Sequence, residues 1–139
     1  MKKKNSVRLL VSRLLIFIVL ALNLQCALSF IFNPLPYIAP YELSGEGGRA
    51  AIIGTGILFV MWQVPYVFAL AHPRRNSRSL LEAVLMQVIG VVGESLLLTT
   101  IPAANESLRS SIVRFIKFDA GGVVLLVGAL LLALLDRNK

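Results

Sequence analysis

Four long apolar runs limit what this chain can fold into more than any other feature of its sequence. They lie at about 9–32, 50–71, 80–101 and 111–135. A helix rises 1.5 Å per residue, so each run is long enough to cross a hydrocarbon core of about 30 Å. No alternating strand pattern competes with helix in these runs. The sequence therefore predicts an all-α protein, with residues 1–139 forming a single integral membrane domain, a four-transmembrane-helix bundle.

The composition also favours the membrane class. Only 15% of the 139 residues are charged, 57% are hydrophobic, and the mean hydropathy is +0.80. Soluble domains carry about 25% charged residues, so this chain has too few polar side chains to cover a surface that faces water. Lipid is therefore the expected environment of most of its surface.

Lysine and arginine are distributed as topology signals, and no nucleic-acid partner is expected. The net charge is +7, but the basic residues lie between the apolar runs and form no stripe with aromatic residues. Ten of the 14 lie at the two termini and in the connector after the second run. The four on the opposite side are Arg49, Arg109, Arg114 and Lys117. We therefore predict cytoplasmic termini, a multi-pass protein of the cell inner (plasma) membrane, and contacts with anionic lipids.

The first run is also compatible with a cleaved signal peptide. It follows a basic start, and Ala27-Leu28-Ser29 resembles a small-x-small cleavage site. The run is longer than a usual signal core and contains Asn23, which favours an uncleaved helix. Whether residues 1–29 are removed stays open from the sequence.

Proline and glycine predict where the helices break. Residues 33–48 contain three prolines and three glycines, so we expect a connector without helix there. Pro65 lies within the second apolar run and has no backbone donor. A kink is therefore expected at Pro65.

Three polar side chains are expected at one depth in the outer half of the bilayer. Asn23, Glu94 and Asp119 each lie seven to nine residues from the outer end of their runs. At 1.5 Å per residue this distance is on the order of 11 Å. Ionisable groups are costly in lipid, so these side chains must face protein, water or the interface.

Lys117 lies one turn nearer the outer surface than this layer, and we predict that it neutralises Glu94. In one interpretation, Glu94, Lys117 and Asp119 are structural and set the register of the helices. In a second, Glu94 is a proton-linked or substrate-linked carboxylate in a small cavity. In a third, the charged groups are exposed at the interface and have no partner. The sequence favours the structural interpretation.

A second polar layer is expected in the inner half, where Gln63 and Gln87 match in depth. Gln87 lies seven residues before Glu94 and shares its helix face, which is the predicted bundle interior. Amides at such an interface form hydrogen bonds between helices. Trp62 and Tyr66 are candidate pocket residues for a flat lipophile such as a quinone, although simple packing is the plainer interpretation.

No motif assigns a reaction to the chain. Cys26 is the only cysteine and His72 the only histidine, so the sequence offers no intrachain disulfide, cysteine-cluster metal site or bis-histidine haem. It contains no P-loop, nucleophile elbow or metalloprotease motif. The sequence therefore favours a protein that is not an enzyme, and predicts no catalytic residue, no metal and no cofactor.

The order of these features resembles the DoxX-like small bacterial membrane proteins, which also have four helices. The shared layout is a proline-containing outer loop, an arginine that enters a glycine-bearing second helix, and a short basic turn. The residues are Arg49, Gly54, Gly56 and Pro73-Arg74-Arg75. Some relatives are linked to thiol or sulfur redox chemistry and to quinone reduction. Cys26 stands alone here, however, and no catalytic residue of that family maps onto this sequence.

Two functions remain open from the sequence. In the first, the protein is a non-catalytic membrane subunit or scaffold that associates with a membrane-protein partner or with a second copy of itself. In the second, it is a DoxX-like carrier or redox accessory that binds a lipophilic small molecule within the bundle. The sequence favours the first.

Overall fold

The computed structural model describes residues 2–135, with side chains from Val7 onward, and this part of the chain consists of helices joined by short connectors and contains no strand. The helices are α1 (Lys2–Phe32), α2 (Leu35–Ile38), α3 (Gly45–Trp62), α4 (Val64–Ala71), α5 (Ser77–Thr100) and α6 (Glu106–Leu135), and a 3₁₀ turn (Ala39–Tyr41) follows α2.

Four helical segments are long and apolar enough to cross a membrane, which confirms the all-α class and the four apolar spans. They are Val7–Phe32, Gly45–Ala71, Ser77–Thr100 and Glu106–Leu135. The helices that contain these spans, α1, α3, α5 and α6, begin at residues 2, 45, 77 and 106. These starts lie three to seven residues before the apolar runs, which begin at about 9, 50, 80 and 111. Helix propagation adds a hydrogen bond per residue whatever the polarity, so an apolar run marks the crossing and not the helix end.

The prediction that residues 33–48 contain no helix is wrong. They include α2, the 3₁₀ turn and the first turn of α3, with Ser44 in the extended conformation of an N-cap. Gly48 is buried, and a Cβ added there would lie 2.9 Å from the Leu43 Cβ and 3.2 Å from the Ile38 Cγ2. Glycine at this position therefore allows the loop to pack on α3 and does not break the helix.

The bundle has two unlike halves. The terminal half contains the start of α1, the end of α6 and the connector between α4 and α5, whereas the loop half contains the loops at 33–44 and 101–105. Helix α1 packs on α3, α4 and α6, and α5 packs on α4 and α6. In the terminal half these contacts close a ring. In the loop half α3 makes no extended contact with α5, so the ring is open there.

The hydrophobic core lies in the terminal half. Its buried members are Ile16, Val19, Leu20, Tyr66, Ala69, Leu80, Ala83, Val84, Leu126, Ala129 and Ala133. The Ser12 hydroxyl, itself buried, donates to the Ala129 carbonyl over 2.9 Å and joins α1 to α6. Four alanines within this core allow neighbouring backbones to approach closely, as at helix interfaces in membranes.

Two arginines satisfy carbonyl groups at helix ends. The last carbonyls of a helix have no partner within it. In the terminal half the Arg13 guanidinium donates to the Ala71 carbonyl at the end of α4, over 2.5 Å. In the loop half Arg109 donates to the carbonyls of Leu98 and Ile101 at the end of α5, over 3.0 and 2.5 Å. The positive charge also interacts favourably with the helix dipole.

Candidate functional site

A cleft of about 600 Å³ lies in the loop half, between α3 and α5. Helices α1 and α6 also contribute to its wall, and α4 contributes to its base. Helix α3 packs on α1 but not extensively on α5, whereas α4 packs on both α1 and α5, so the two parts of the second span diverge in their distance from α5 at the junction. This divergence leaves the space that forms the cleft.

The junction between α3 and α4 falls at Gln63, two residues before the predicted kink at Pro65. Proline has no N–H to continue the helix, so the hydrogen-bond pattern changes in the preceding turn. The Gln63 N–H bonds to the Val60 carbonyl over 3.1 Å, and the Gln63 side-chain amide donates to the Phe59 carbonyl over 2.9 Å. The Gln63 side chain thus supplies the Phe59 carbonyl with the donor that the Gln63 backbone N–H would supply in an unbroken helix.

A network of polar side chains lies at the base of the cleft. The Asn23 amide donates to Gln63 over 3.2 Å, and Asn23 also lies beside the Tyr66 hydroxyl. That hydroxyl donates to the Gln87 side-chain oxygen over 2.9 Å. The Gln87 amide in turn donates to an Asp119 carboxylate oxygen over 3.2 Å. The network therefore links side chains from α1, the α3–α4 junction, α4, α5 and α6.

The expected division into two polar layers is wrong. Asn23, assigned to the outer layer, bonds to Gln63 of the inner layer, and Asp119 of the outer layer bonds to Gln87 of the inner layer. Asp119 lies thirteen residues after the first residue of α6, which is about 20 Å along the helix. Gln87 likewise lies thirteen residues before the last residue of α5, Thr100, so these two antiparallel helices bring Asp119 and Gln87 to one level.

Glu94 lies apart from this network, nearer the end of α5, and also lines the cleft. Its Oε2 atom is buried and has no hydrogen-bond partner. The predicted ion pair with Lys117 does not form among the described residues, and Lys117 is exposed on α6. Residues two apart on a helix point about 200° apart, so α6 cannot direct both Asp119 and Lys117 toward α5.

Two glycines explain how closely α5 and α6 approach. A Cβ at Gly90 would collide with the Asp119 carboxylate, and one at Gly122 would collide with the Gln87 amide. Each polar side chain therefore lies directly against the backbone of the facing helix. Gly90 lies three residues after Gln87 and on the same helix face, but the sequence alone does not show which side chain it admits.

Aromatic side chains form much of the remaining wall. The Phe59 ring lies 5.4 Å from the Trp62 ring, 5.8 Å from Phe30 and 6.1 Å from Phe115, measured between centroids. Trp62 is 47% exposed, whereas the second predicted pocket residue, Tyr66, is 1% exposed; both line the cleft. These are distances at which aromatic rings attract one another.

Most of these aromatic residues were not predicted from the sequence. They are Phe30, Tyr41, Phe59, Phe115 and Phe118. A signal was present for two of them, because Phe59 lies four residues before Gln63 and Phe115 lies four residues before Asp119, and residues four apart share a side of a helix.

Tyr41 lines the loop end of the cleft from the 3₁₀ turn, outside the four spans. Burial raises the pKa of its hydroxyl, and the nearby Glu94 carboxylate raises this pKa further. The hydroxyl therefore remains protonated in ordinary buffers and is available as a hydrogen-bond donor.

The single cysteine lies outside the cleft. Cys26 is a free, half-buried thiol that lines a separate cavity and not the cleft. Within residues 2–135 no group of three histidine, cysteine or acidic side chains could hold a metal ion. No protein-family model, curated protein or solved structure matches the chain. The function is therefore inferred from the geometry of the cleft.

Proposed function

We propose that this multi-pass membrane protein binds a small, mainly apolar molecule in the cleft between α3 and α5. The observation that carries the proposal is the cleft itself, which has a volume of about 600 Å³, aromatic walls and a few polar groups at its base. Small-molecule sites range from about 300 to 1,000 Å³ and share this composition. This is the second of the two functions that the sequence left open.

The structural role of the polar residues supports only part of the scaffold interpretation. Gln87, Tyr66 and Asp119 join helices by hydrogen bonds, as a scaffold requires. Glu94, however, contributes a buried oxygen without a partner, and Lys117 faces away from it. A carboxylate that only fixed helix register would be paired, because an unpaired one is costly in lipid.

The orientation and family of the protein remain proposals. Ten of 14 basic residues lie at the termini and the α4–α5 connector, which supports cytoplasmic termini in a bacterial inner membrane, with anionic lipid at that surface. A resemblance to DoxX-like proteins and association with a membrane-protein partner or a second copy also stay predictions. Reporter fusions at residue 139 and in the 101–105 loop, active on opposite sides of the membrane, would test the orientation.

Filling the cleft tests the binding proposal. Gly93 lines it, and a Cβ there meets nothing within 4 Å, so Gly93→Leu extends into free space. Gly121 is equally open but does not line the cleft, which makes Gly121→Leu the matched control. Trp62, the single tryptophan, reports occupancy by its fluorescence.

The probes are two brominated phenylbutanes, because bromine quenches tryptophan on contact. One ends in a trimethylammonium group and the other in an uncharged tert-butyl group of the same shape. We expect saturable quenching of Trp62 in nanodiscs by at least one probe, an increase of about tenfold or more in Kd for G93L, and a change within about twofold for G121L. If neither probe shows quenching that G93L weakens, the proposal is wrong.

A further inference from the structure

The cleft contains acidic as well as apolar side chains. Two carboxylates, Glu94 and Asp119, line it, and among the described residues no lysine, arginine or histidine does so. Arg114 of α6 lines the separate cavity that contains Cys26, and its charge acts on Tyr41 at the loop end of the cleft. An anionic ligand would therefore meet two acidic groups and no basic side chain in the lining of the cleft.

The protein does not supply hydrogen-bond donors to all the oxygen atoms of the two carboxylates. Asp119 accepts a hydrogen bond from Gln87 through one oxygen, while its other oxygen lies against the Gly90 backbone. The Glu94 Oε2 atom accepts none. A buried polar atom without a partner is rare, because it loses its hydration and gains nothing in exchange. A ligand that carries a positive charge would supply the missing partner.

The aromatic side chains of the cleft also favour a positively charged ligand. The faces of Trp, Phe and Tyr rings carry partial negative charge and attract ammonium groups within about 6 Å. Phe59, Trp62 and Phe115 contribute rings to the cleft that Glu94 and Asp119 also line, and Tyr41 contributes a fourth. Carboxylates and aromatic rings that line one cleft therefore select the same chemical class.

We propose that the ligand of the cleft is a small lipophilic organic cation, such as an amine or quaternary ammonium with an aromatic or alkyl body. This inference rests on the proposed binding function and specifies its ligand. The apolar body occupies the aromatic wall, and the positive group lies between Glu94 and Asp119. A neutral quinone or a lipid chain would fill the same volume without satisfying either carboxylate.

The charged and uncharged brominated probes test this inference directly, because they differ only in charge. In the unmodified protein we expect the trimethylammonium probe to bind at least about tenfold more tightly than the tert-butyl probe, the ratio that one charge-assisted contact supplies. The variants are Glu94→Gln and Asp119→Asn. Both keep the side-chain shape, and asparagine keeps an acceptor for the Gln87 amide.

Each variant is expected to raise the Kd of the cationic probe about tenfold and to leave that of the uncharged probe within about twofold. Glu82→Gln is the matched control, since Glu82 is exposed on the same helix and does not line the cleft. It should change neither Kd. Thermal unfolding of all variants separates loss of binding from loss of fold.

The outcomes distinguish the two proposals. If both probes bind with equal Kd in the cleft, and E94Q and D119N change neither value, the organic-cation inference is wrong and an uncharged lipophile or lipid chain is the occupant. The binding proposal then still holds, because G93L weakens both probes. If G93L weakens neither, both proposals are wrong.

Discussion

The terminal and loop halves of the bundle are built from the same four spans but pack differently. In the terminal half Leu126, Ala129 and Ala133 of α6 are almost completely buried in the hydrophobic core. In the loop half the same helix presents Phe115, Phe118 and Asp119 to a cleft of about 600 Å³. One helix therefore forms a tight interface along one part of its length and a cavity wall along another.

The difference follows from side-chain size and from the junction at Gln63. Alanine allows helices to approach closely, whereas large aromatic rings hold their backbones apart. The junction then moves α4 onto α5 while α3 stays on α1. An apolar sequence alone therefore does not make a closed bundle; a change of direction in one span is enough to open half of it.

The largest effect is expected from a cavity in the terminal half. Leu126 is 0% exposed, and Leu126→Ala should lower the free energy of unfolding by about 2–5 kcal/mol, because the neighbouring helices cannot collapse into the space. Denaturant-induced unfolding in mixed micelles measures the change. Leu131, 56% exposed on the same helix, provides the control, and L131A should change stability by less than about 0.5 kcal/mol. Equal losses would mean that the terminal half is not the tighter one.

A smaller effect is expected where the halves meet. Gln87→Leu keeps the side-chain size but removes the hydrogen bonds with Tyr66 and Asp119. Hydrogen bonds between helices in membranes contribute about 0.6–2 kcal/mol, so a loss in that range is expected by the same unfolding assay. Gln25 is exposed on α1, and Q25L should leave stability nearly unchanged. Equal changes in the free energy of unfolding for Q87L and Q25L would show that the polar network does not hold the halves together.

Removing the arginine that caps a helix carboxyl end should lower the stability by a similar amount in both halves. Arg13→Gln and Arg109→Gln each remove a positive charge that caps a helix carboxyl end, and each should lower stability by about 0.3–1 kcal/mol. Arg49→Gln serves as the comparison, because Arg49 pairs with Glu46 at the surface, over 3.3 Å, and an exposed pair contributes little. A cap effect confined to R13Q would indicate that the loop half gains little from its own capping.

The smallest effect on stability is expected from Glu94→Gln. The Glu94 Oε2 atom has no partner to lose, so the free energy of unfolding should stay within about 0.5 kcal/mol of the original value or rise slightly. Thermal unfolding monitored by circular dichroism suffices as the measurement. A loss above about 1 kcal/mol would favour the structural interpretation of Glu94 and would bring the loop half closer to the terminal half in character.

Part of the candidate site was predictable from single residues. A polar side chain within an apolar run must avoid lipid, so Asn23, Gln63, Gln87, Glu94 and Asp119 were expected at the bundle interior. All five line the cleft. Their partners were not predictable, because these depend on where each helix begins and how it is rotated. Asp119 lies at the level of Gln87 because each is thirteen residues from the loop-half end of its helix, at Glu106 in α6 and Thr100 in α5.

The sequence by itself determined the helical class, the four apolar spans and the polar residues that turn away from lipid, because each is a local consequence of what a bilayer tolerates. Only the tertiary structure decided that Asp119 meets Gln87, that Lys117 turns outward and that α3 separates from α5. These features depend on the relative direction and rotation of helices distant in sequence. Small side chains, aromatic side chains and the junction at Gln63 set those relations together, and no local stretch of sequence contains them.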